Sequence, residues 1–304
     1  MSVDRLIATY REGDKPNKPI LRSASDVAAY AAYRMPATYL AMRKALSYTA
    51  QSNREFRPSA QLDLGAGTGA AVWAASAVWP SLTRGTAIEQ SSDAVALGSR
   101  LAESSDSLFV RNIQWQRELI NGRPTEAADL VTVSYVLGEL SAAQSADLVD
   151  ALARFKGTVV FVEPGTPAGY QRILDARNRL IDKGLEIIAP CPHRDACPIP
   201  QGRDWCHFSV RVNRSSVHRA IKNAALGHED EKFSYVAAST ALGSPPRARI
   251  LRHPQQRKGL VSFYLCTEEG LQPSVVSKRQ GSLYRAARDA EWGDGWPPSP
   301  GVDG

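Results

Sequence analysis

The stretch LDLGAGTGA constrains this chain more than any other, because it sets Gly65, Gly67 and Gly69 between a short apolar strand and a helix. Glycines in that place let the backbone turn tightly and approach a ligand with no Cβ in the way. The helix that follows offers free N–H groups at its positive end. Apolar strands and helical patterns alternate on from this point. QLDL, GTAIEQ, IQWQREL, DLVTVSYVL and GTVVFVEPG read as five strands, and SDAVALGSRLAES, AAQSADLVDALARF and YQRILDARNRLIDKG as helices among them. This alternation predicts an α/β fold built on a doubly wound, mostly parallel sheet. Residues from about 24 to 50 predict helix, broken or kinked at Pro36.

The glycine turn also points to a nucleotide. Glu89 closes the next strand, where a carboxylate can accept both ribose hydroxyls. The leading acid Asp63 makes LDLGxGxG resemble motif I of S-adenosylmethionine-dependent methyltransferases more than the dinucleotide form, so NAD is the second choice. On this reading Asp63 lies near the methionine amino end. After the fourth strand, SYVLGEL holds neither the Asn/Asp-Pro-Pro-aromatic group of amine methyltransferases nor a nucleophilic cysteine. Pro190-Cys191 has the right letters in the wrong place, after the fifth strand. Tyr135 and Glu139 are the nearest candidates for a base or a substrate contact, and both read equally as ordinary strand and helix-start residues. No catalytic residue is named.

Beyond Gly184 the alternation stops, and three of the four cysteines follow. Cys191, Cys197, Cys206 and Cys266 are written C-x5-C-x8-C-x59-C. Thiolates converging from a loop and a strand suit a tetrahedral metal or a cluster. The C-x2-4-C knuckles usual for zinc are absent, and wide spacings sit more easily around an iron–sulfur cluster. His193 and His207 flank two of the cysteines and keep a mixed zinc site open, with free buried thiols as the third reading. FSYVAAS and LVSFYLCT read as two further strands closing the sheet, and WGDGWPPSPGVDG as a loose tail.

The chain thus divides into a helical extension (1–55), a Rossmann-like domain (56–188), a cysteine-rich insertion (189–232), closing strands (233–268) and a basic C-terminal tail (269–304). No apolar run nears the roughly 20 residues that cross a bilayer. The first residues lack the apolar core of a signal peptide, so a cytoplasmic location is expected. A net charge of +6 and an isoelectric point near 9.2 admit a polyanionic partner. Two basic stretches stand out: Arg247, Arg249, Arg252, Arg257 and Lys258, then Lys278, Arg279, Arg285 and Arg288. Solvated surface is the plain alternative for both.

Longer runs carry a family resemblance: AYRMPATYLA, LDLGAGTG, VVFVEPGTPAGY, CPHRDACP, WCHFSVRVNR, EDEKFSYVAAS and YRAARDAEWGD, in order from about residue 28 to 296. They resemble the methyltransferase-like small-ribosomal-subunit proteins of the Rsm-twenty-two family. The resemblance implies a class I methyltransferase fold binding S-adenosylmethionine at Asp63, Gly65, Gly67, Gly69 and Glu89. It implies a [4Fe–4S] cluster held by Cys191, Cys197, Cys206 and Cys266, with zinc as the alternative. It also implies, for a monomer, small-subunit rRNA and neighbouring ribosomal proteins as partners in subunit assembly. Methyl transfer to rRNA and a purely non-catalytic clamp both stay open. The insertion would present Arg203, Arg211, Arg214, Arg219 and Lys222 to phosphates. Trp205 and Phe208 would stack on a base or, more readily, pack over the cluster. The acids of EDEKFSY would pair with arginines. A radical S-adenosylmethionine enzyme is discounted, since it needs CxxxCxxC and an iron left open.

Overall fold

A computed structural model describes residues 23–120, 127–213 and 228–298. Helix α1 (Ala24–Tyr33) is capped by Ser23, whose side chain accepts from the Asp26 N–H. Arg34 is the joint to α2 (Met35–Ser52), and Pro36 lies in the first turn of α2, where a missing N–H costs nothing. Helix α2 is no mere appendage. Ala41, Met42, Ala45, Leu46 and Tyr48 are buried in the main core, against the alanines of α3 (Ala70–Val78).

The sheet follows the expected alternation. Strand β1 (Ala60–Leu64) is buried throughout and pairs in parallel with β2 (Arg84–Glu89) and β4 (Leu130–Ser134). Strands β3 (Gln114–Arg117) and β5 (Thr158–Pro164) extend it in parallel on either side. Helices α4 (Ser92–Glu103), α5 (Leu108–Arg111), α6 (Ala142–Leu152) and α7 (Pro167–Asp182) supply the crossovers. Strand β6 (Glu186–Ala189) and the long β8 (His228–Ser239) complete the order β3-β2-β1-β4-β5-β8-β6, with β8 antiparallel to both neighbours. Strand β7 (Phe208–Asn213), inside the cysteine-rich segment, pairs with the charged first half of β8. One reversed strand inside a doubly wound sheet makes this a class I methyltransferase-like Rossmann fold.

The C-terminal part departs from expectation. Leu260–Thr267 does not close the main sheet. It is β11, the centre of a second, five-stranded sheet, flanked by β12 (Gly270–Ser277) on one edge and by β9 (Ala248–Ile250) and β10 (Gln255–Arg257) on the other. Strand β13 (Gly295–Trp296) adds to β9. Val261, Phe263 and Leu265 alternate onto one face and bury there with Val276, Ala287 of α8 (Ser282–Asp289) and Trp296. An apolar stripe at period two needs its own partner layer, and α8 supplies it. Residues 269–298 are therefore built structure rather than a basic tail, and Trp292 and Trp296 are buried where a loose end was expected. Among the described residues no helix is long and apolar enough to cross a membrane.

Candidate functional site

The turn after β1 has the geometry that its glycines foretell. Gly65, Gly67 and Gly69 have φ of 73°, 56° and 92°, in the left-handed region that favours glycine. A Cβ on Gly65 would collide with the Val136 side chain. Asp63 is fully buried, and its Oδ1 accepts from the Thr132 hydroxyl at 2.7 Å while Oδ2 has no partner. Burial pushes its carboxyl up to about 7, against the pull of that hydrogen bond. Glu89 stands at the end of β2 as predicted, but its oxygens hold backbone: Oε2 accepts from Gly67 N–H at 2.9 Å and Oε1 from Ser91 N–H at 2.8 Å. Each carboxylate oxygen retains a second lone pair. The five residues read from the sequence thus gather around one turn, Asp63 from β1, the glycines from the turn and Glu89 from the end of β2.

Sequence reasoning missed what covers this loop. Tyr30 of α1 lies over Gly67, and Thr68 donates to the sulfur of Met35 at 3.1 Å. Arg34 makes a two-pronged ion pair with Glu231 of β8, at 2.7 and 2.5 Å, which fastens α1 to the far side of the turn. The Tyr135 hydroxyl donates to the same Glu231 at 3.1 Å, and the Arg34 guanidinium lies 5.2 Å from the Tyr135 ring centre. Tyr135 is therefore committed to this clasp and is no free base, and burial raises its pKa well above the usual. Its φ of 60° is unusual for a residue with a side chain. The signal for the clasp was present in AYRMPATYLA and EDEKFSY, but two segments 197 residues apart reveal no pairing by themselves. Glu139 follows β4, and burial, then Glu89 and Glu163, push its carboxyl up to about 8.

All four cysteines line one cavity, which holds about 530 Å³ of empty space, part of it open to solvent. Cys191, Cys197 and Cys206 come from the irregular segment between β6 and β7, and Cys266 from β11, so both sheets contribute. None is in a disulfide. Burial raises the thiols of Cys191 and Cys206, and that of Cys266 to about 12. The Tyr170 hydroxyl meets Cys197 Sγ at 3.3 Å and His193 Nε2 lies 3.6 Å from Cys266 Sγ. Among the described residues no three His, Cys, Asp or Glu side chains gather closely enough for a single metal ion.

Two arginines that sequence reasoning missed also line this cavity. Arg177 and Arg249 are 3% and 2% exposed. Arg177 donates to the carbonyls of His193 and Asp195 at 2.9 and 2.8 Å, and Arg249 to those of Pro190 and Gly293, both at 2.8 Å. Arg177 Nε and Arg249 Nη2 have no partner, and neither guanidinium meets a carboxylate among the described residues. A buried cation without an anion is costly.

The other expectations divide. Phe208 is 1% exposed among Tyr48, Phe233 and Tyr235, so it is no platform for a base. Trp205 donates to the Gly165 carbonyl at 2.9 Å and stacks on His207, whose ring meets Trp292 edge-on. His207 is thereby occupied by the two indoles and by the Trp205 carbonyl, 3.0 Å from Nδ1. The acids of EDEKFSY do pair with arginines: Glu231 with Arg34, and Asp230 with Arg211 at 3.2 Å. Arg203 is exposed, while Arg214, Arg219 and Lys222 lie outside the described residues.

A methyltransferase-like Rossmann fold with a four-cysteine cavity at its side defines the class of protein. Residues 24–297 match the family described as mitochondrial small ribosomal subunit Rsm22, and the chain belongs to that family. It is 31% identical over 288 residues to the human mitochondrial ribosome assembly protein METTL17, covering 87% of this chain and 61% of METTL17. An Rsm22-cox11 tandem protein of Schizosaccharomyces pombe is 28% identical over 186 residues, 46% of this chain and 24% of that one. The chain therefore spans less than two thirds of the curated relatives it matches. Among solved structures it is similar to the magnesium protoporphyrin IX methyltransferase of Synechocystis, at 10% identity and a TM-score of 0.44 over 74% of this chain and 87% of that one. It is also similar to a SAM-dependent methyltransferase of Aquifex aeolicus, at 14% identity and 0.42 over 72% and 98%.

Proposed function

We propose that this chain is a small-subunit assembly protein that binds S-adenosylmethionine in the motif I turn, a [4Fe–4S] cluster in the four-cysteine cavity, and rRNA. The name of METTL17 and membership of the Rsm22 family support the ribosomal part. One observation carries the cluster: four thiols share a cavity with two buried guanidiniums that lack a carboxylate. Four thiolates around a [4Fe–4S] core in its usual oxidised state make a dianion, which two arginines neutralise. A tetrathiolate zinc site would be a dianion as well. The spacing of the cysteines in the sequence, without the short C-x2-4-C knuckles usual for zinc, favours the cluster. Cys191, Cys197, Cys206 and Cys266 would hold it, and its role is to tie the irregular segment to both sheets. In the turn, Asp63 would face the methionine ammonium and Glu89 the ribose. We keep the cytoplasm as the location and the monomer as the state.

The clasp over the turn and the committed Tyr135 favour an assembly factor without efficient chemistry. Methyl transfer to rRNA is the second reading, and one observation favours it: burial and neighbouring carboxylates hold the Glu139 carboxyl near 8, close enough to neutral pH to exchange a proton with a substrate. Two measurements test these readings. Anaerobically purified protein should hold about four irons and four sulfides per chain, lost in Cys197→Ser. Stoichiometric zinc without sulfide sinks the cluster. Nucleoside mass spectrometry of small-subunit rRNA from a deletion strain should show no missing methyl mark. A mark that vanishes, and returns with wild type but not Glu139→Gln, makes the chain an enzyme.

A further inference from the structure

One end of the second sheet gathers six cations. The turn from β10 to β11 carries Arg257 and Lys258, and the register sets Arg257 opposite Leu260 and Leu260 opposite Ser277. Lys278 N–H donates to the Gly259 carbonyl at 2.8 Å, which brings Lys278 and Arg279 beside that turn. Gln256 donates to the Arg288 carbonyl at 2.7 Å, docking the end of α8 on the same hairpin. Helix α8 turns Leu283, Ala286 and Ala287 to the sheet and leaves Arg285 and Arg288 outside. All six side chains are exposed, and none forms an ion pair within the described residues. Asp289 is the acid that α8 sets among them.

These cations differ from six arginines elsewhere in the chain. Arg34, Arg172, Arg179, Arg194, Arg211 and Arg252 each face a carboxylate. Six unpaired like charges on one rigid end repel one another, and a polyanion removes that repulsion. Backbone fixed by a two-stranded hairpin and a short helix loses little entropy on docking. We propose that this end of the second sheet is a phosphate-binding face that grips the sugar–phosphate backbone of RNA. The proposal rests on the ribosomal reading for the choice of RNA. Tyr284, the aromatic ring that α8 carries, packs on the core of the second sheet, so the face sets position and reads no base sequence. Cys266, farther along the same β11, lines the four-cysteine cavity.

The test uses the full chain with its metal and a structured small-subunit rRNA fragment, titrated at several salt concentrations. A triple reversal, R257E/K278E/R279E, should weaken binding at least tenfold. It should also lower the slope of log K against log salt by about 0.9 for each phosphate that the variant no longer neutralises. R154E/K156E, exposed cations after α6, is the control and should change affinity less than twofold. R285Q/R288Q removes two charges without reversal and should give a partial loss. Unchanged melting temperature and iron content show that the triple variant is folded. If wild type binds RNA and co-sediments with small subunits while the triple variant does both equally well, the face is wrong and the ribosomal reading stands. If wild type binds neither rRNA nor subunits, the reading fails and takes the proposal with it. Binding to phosphatidylserine vesicles that RNA does not compete away would make the face a membrane site instead and overturn the proposal.

Discussion

Asp63 lies fully buried at the end of β1 with one carboxylate oxygen unbonded, and that burial has a measurable sign. An unfolded aspartate titrates near 3.9, whereas here the carboxyl is pushed up to about 7. The folded state therefore holds a proton that the unfolded state has lost, and stability falls as pH rises from about 4 to about 7, then levels. Asp63→Asn should flatten that decline and leave stability below pH 4 unchanged, read from urea midpoints across the range. An undiminished slope would mean the burial cost lies elsewhere. The two cavity arginines make a second test. Arg249→Met should release iron to a chelator at least tenfold faster than wild type, with Arg249→Lys between them because it keeps the charge. Equal rates in all three would remove the arginines from the charge balance. The cysteines were legible in the sequence because four thiols in a chain of 304 are few enough to group. The arginines were not. Arg249 stood in a basic stretch that read as surface, and only the fold separates it, buried, from exposed Arg247, Arg257 and Lys258, and from Arg252, which pairs with Asp204.

Among the elements, α1 and the joint after it meet the motif I turn through Tyr30 on Gly67, Met35 on Thr68 and the Arg34–Glu231 pair. Both partners of that pair are largely buried, with side chains 14% and 12% exposed. Breaking one partner of such a pair costs about 3 kcal/mol. Arg34→Ala should thus speed amide exchange across residues 24–33 by about a hundredfold, while amides of β1, β4 and β5 keep their protection. Protection lost equally everywhere would mean the pair supports the whole sheet and not one helix. The parallel strands and their helices were readable because each is a continuous apolar run or a clear helical period. Strand β12 was not, since GLQPSVVS holds a proline and alternates weakly, as an edge strand with one open side can. The first half of β8, HEDEK, hid for a related reason: it pairs with β7 beyond the main core and so carries charge.

The whole molecule joins two sheets with separate cores. Several contacts tie them: the Arg249 guanidinium reaching the Pro190 carbonyl, the Tyr48 hydroxyl on the Trp292 carbonyl at 3.1 Å, Trp292 packed in the main core, the Arg252–Asp204 and Lys44–Glu291 pairs, and the cavity that Cys266 closes from the second sheet. A small sheet packed on one eight-residue helix has little apolar surface of its own, so it depends on its ties to the larger body. A group bound to all four thiols would be a covalent link across that junction and would bind only the folded arrangement. Iron-loaded protein should therefore unfold in one thermal transition. After chelation, or in Cys266→Ser, the second sheet should melt first and the Rossmann core later. Amide exchange would rise in β9, β11 and β12 before it rises in β1, β4 and β5. A single transition in both forms, with unchanged exchange in β11, would show that the other contacts suffice to hold the sheets together. The cysteines would then serve the irregular segment alone.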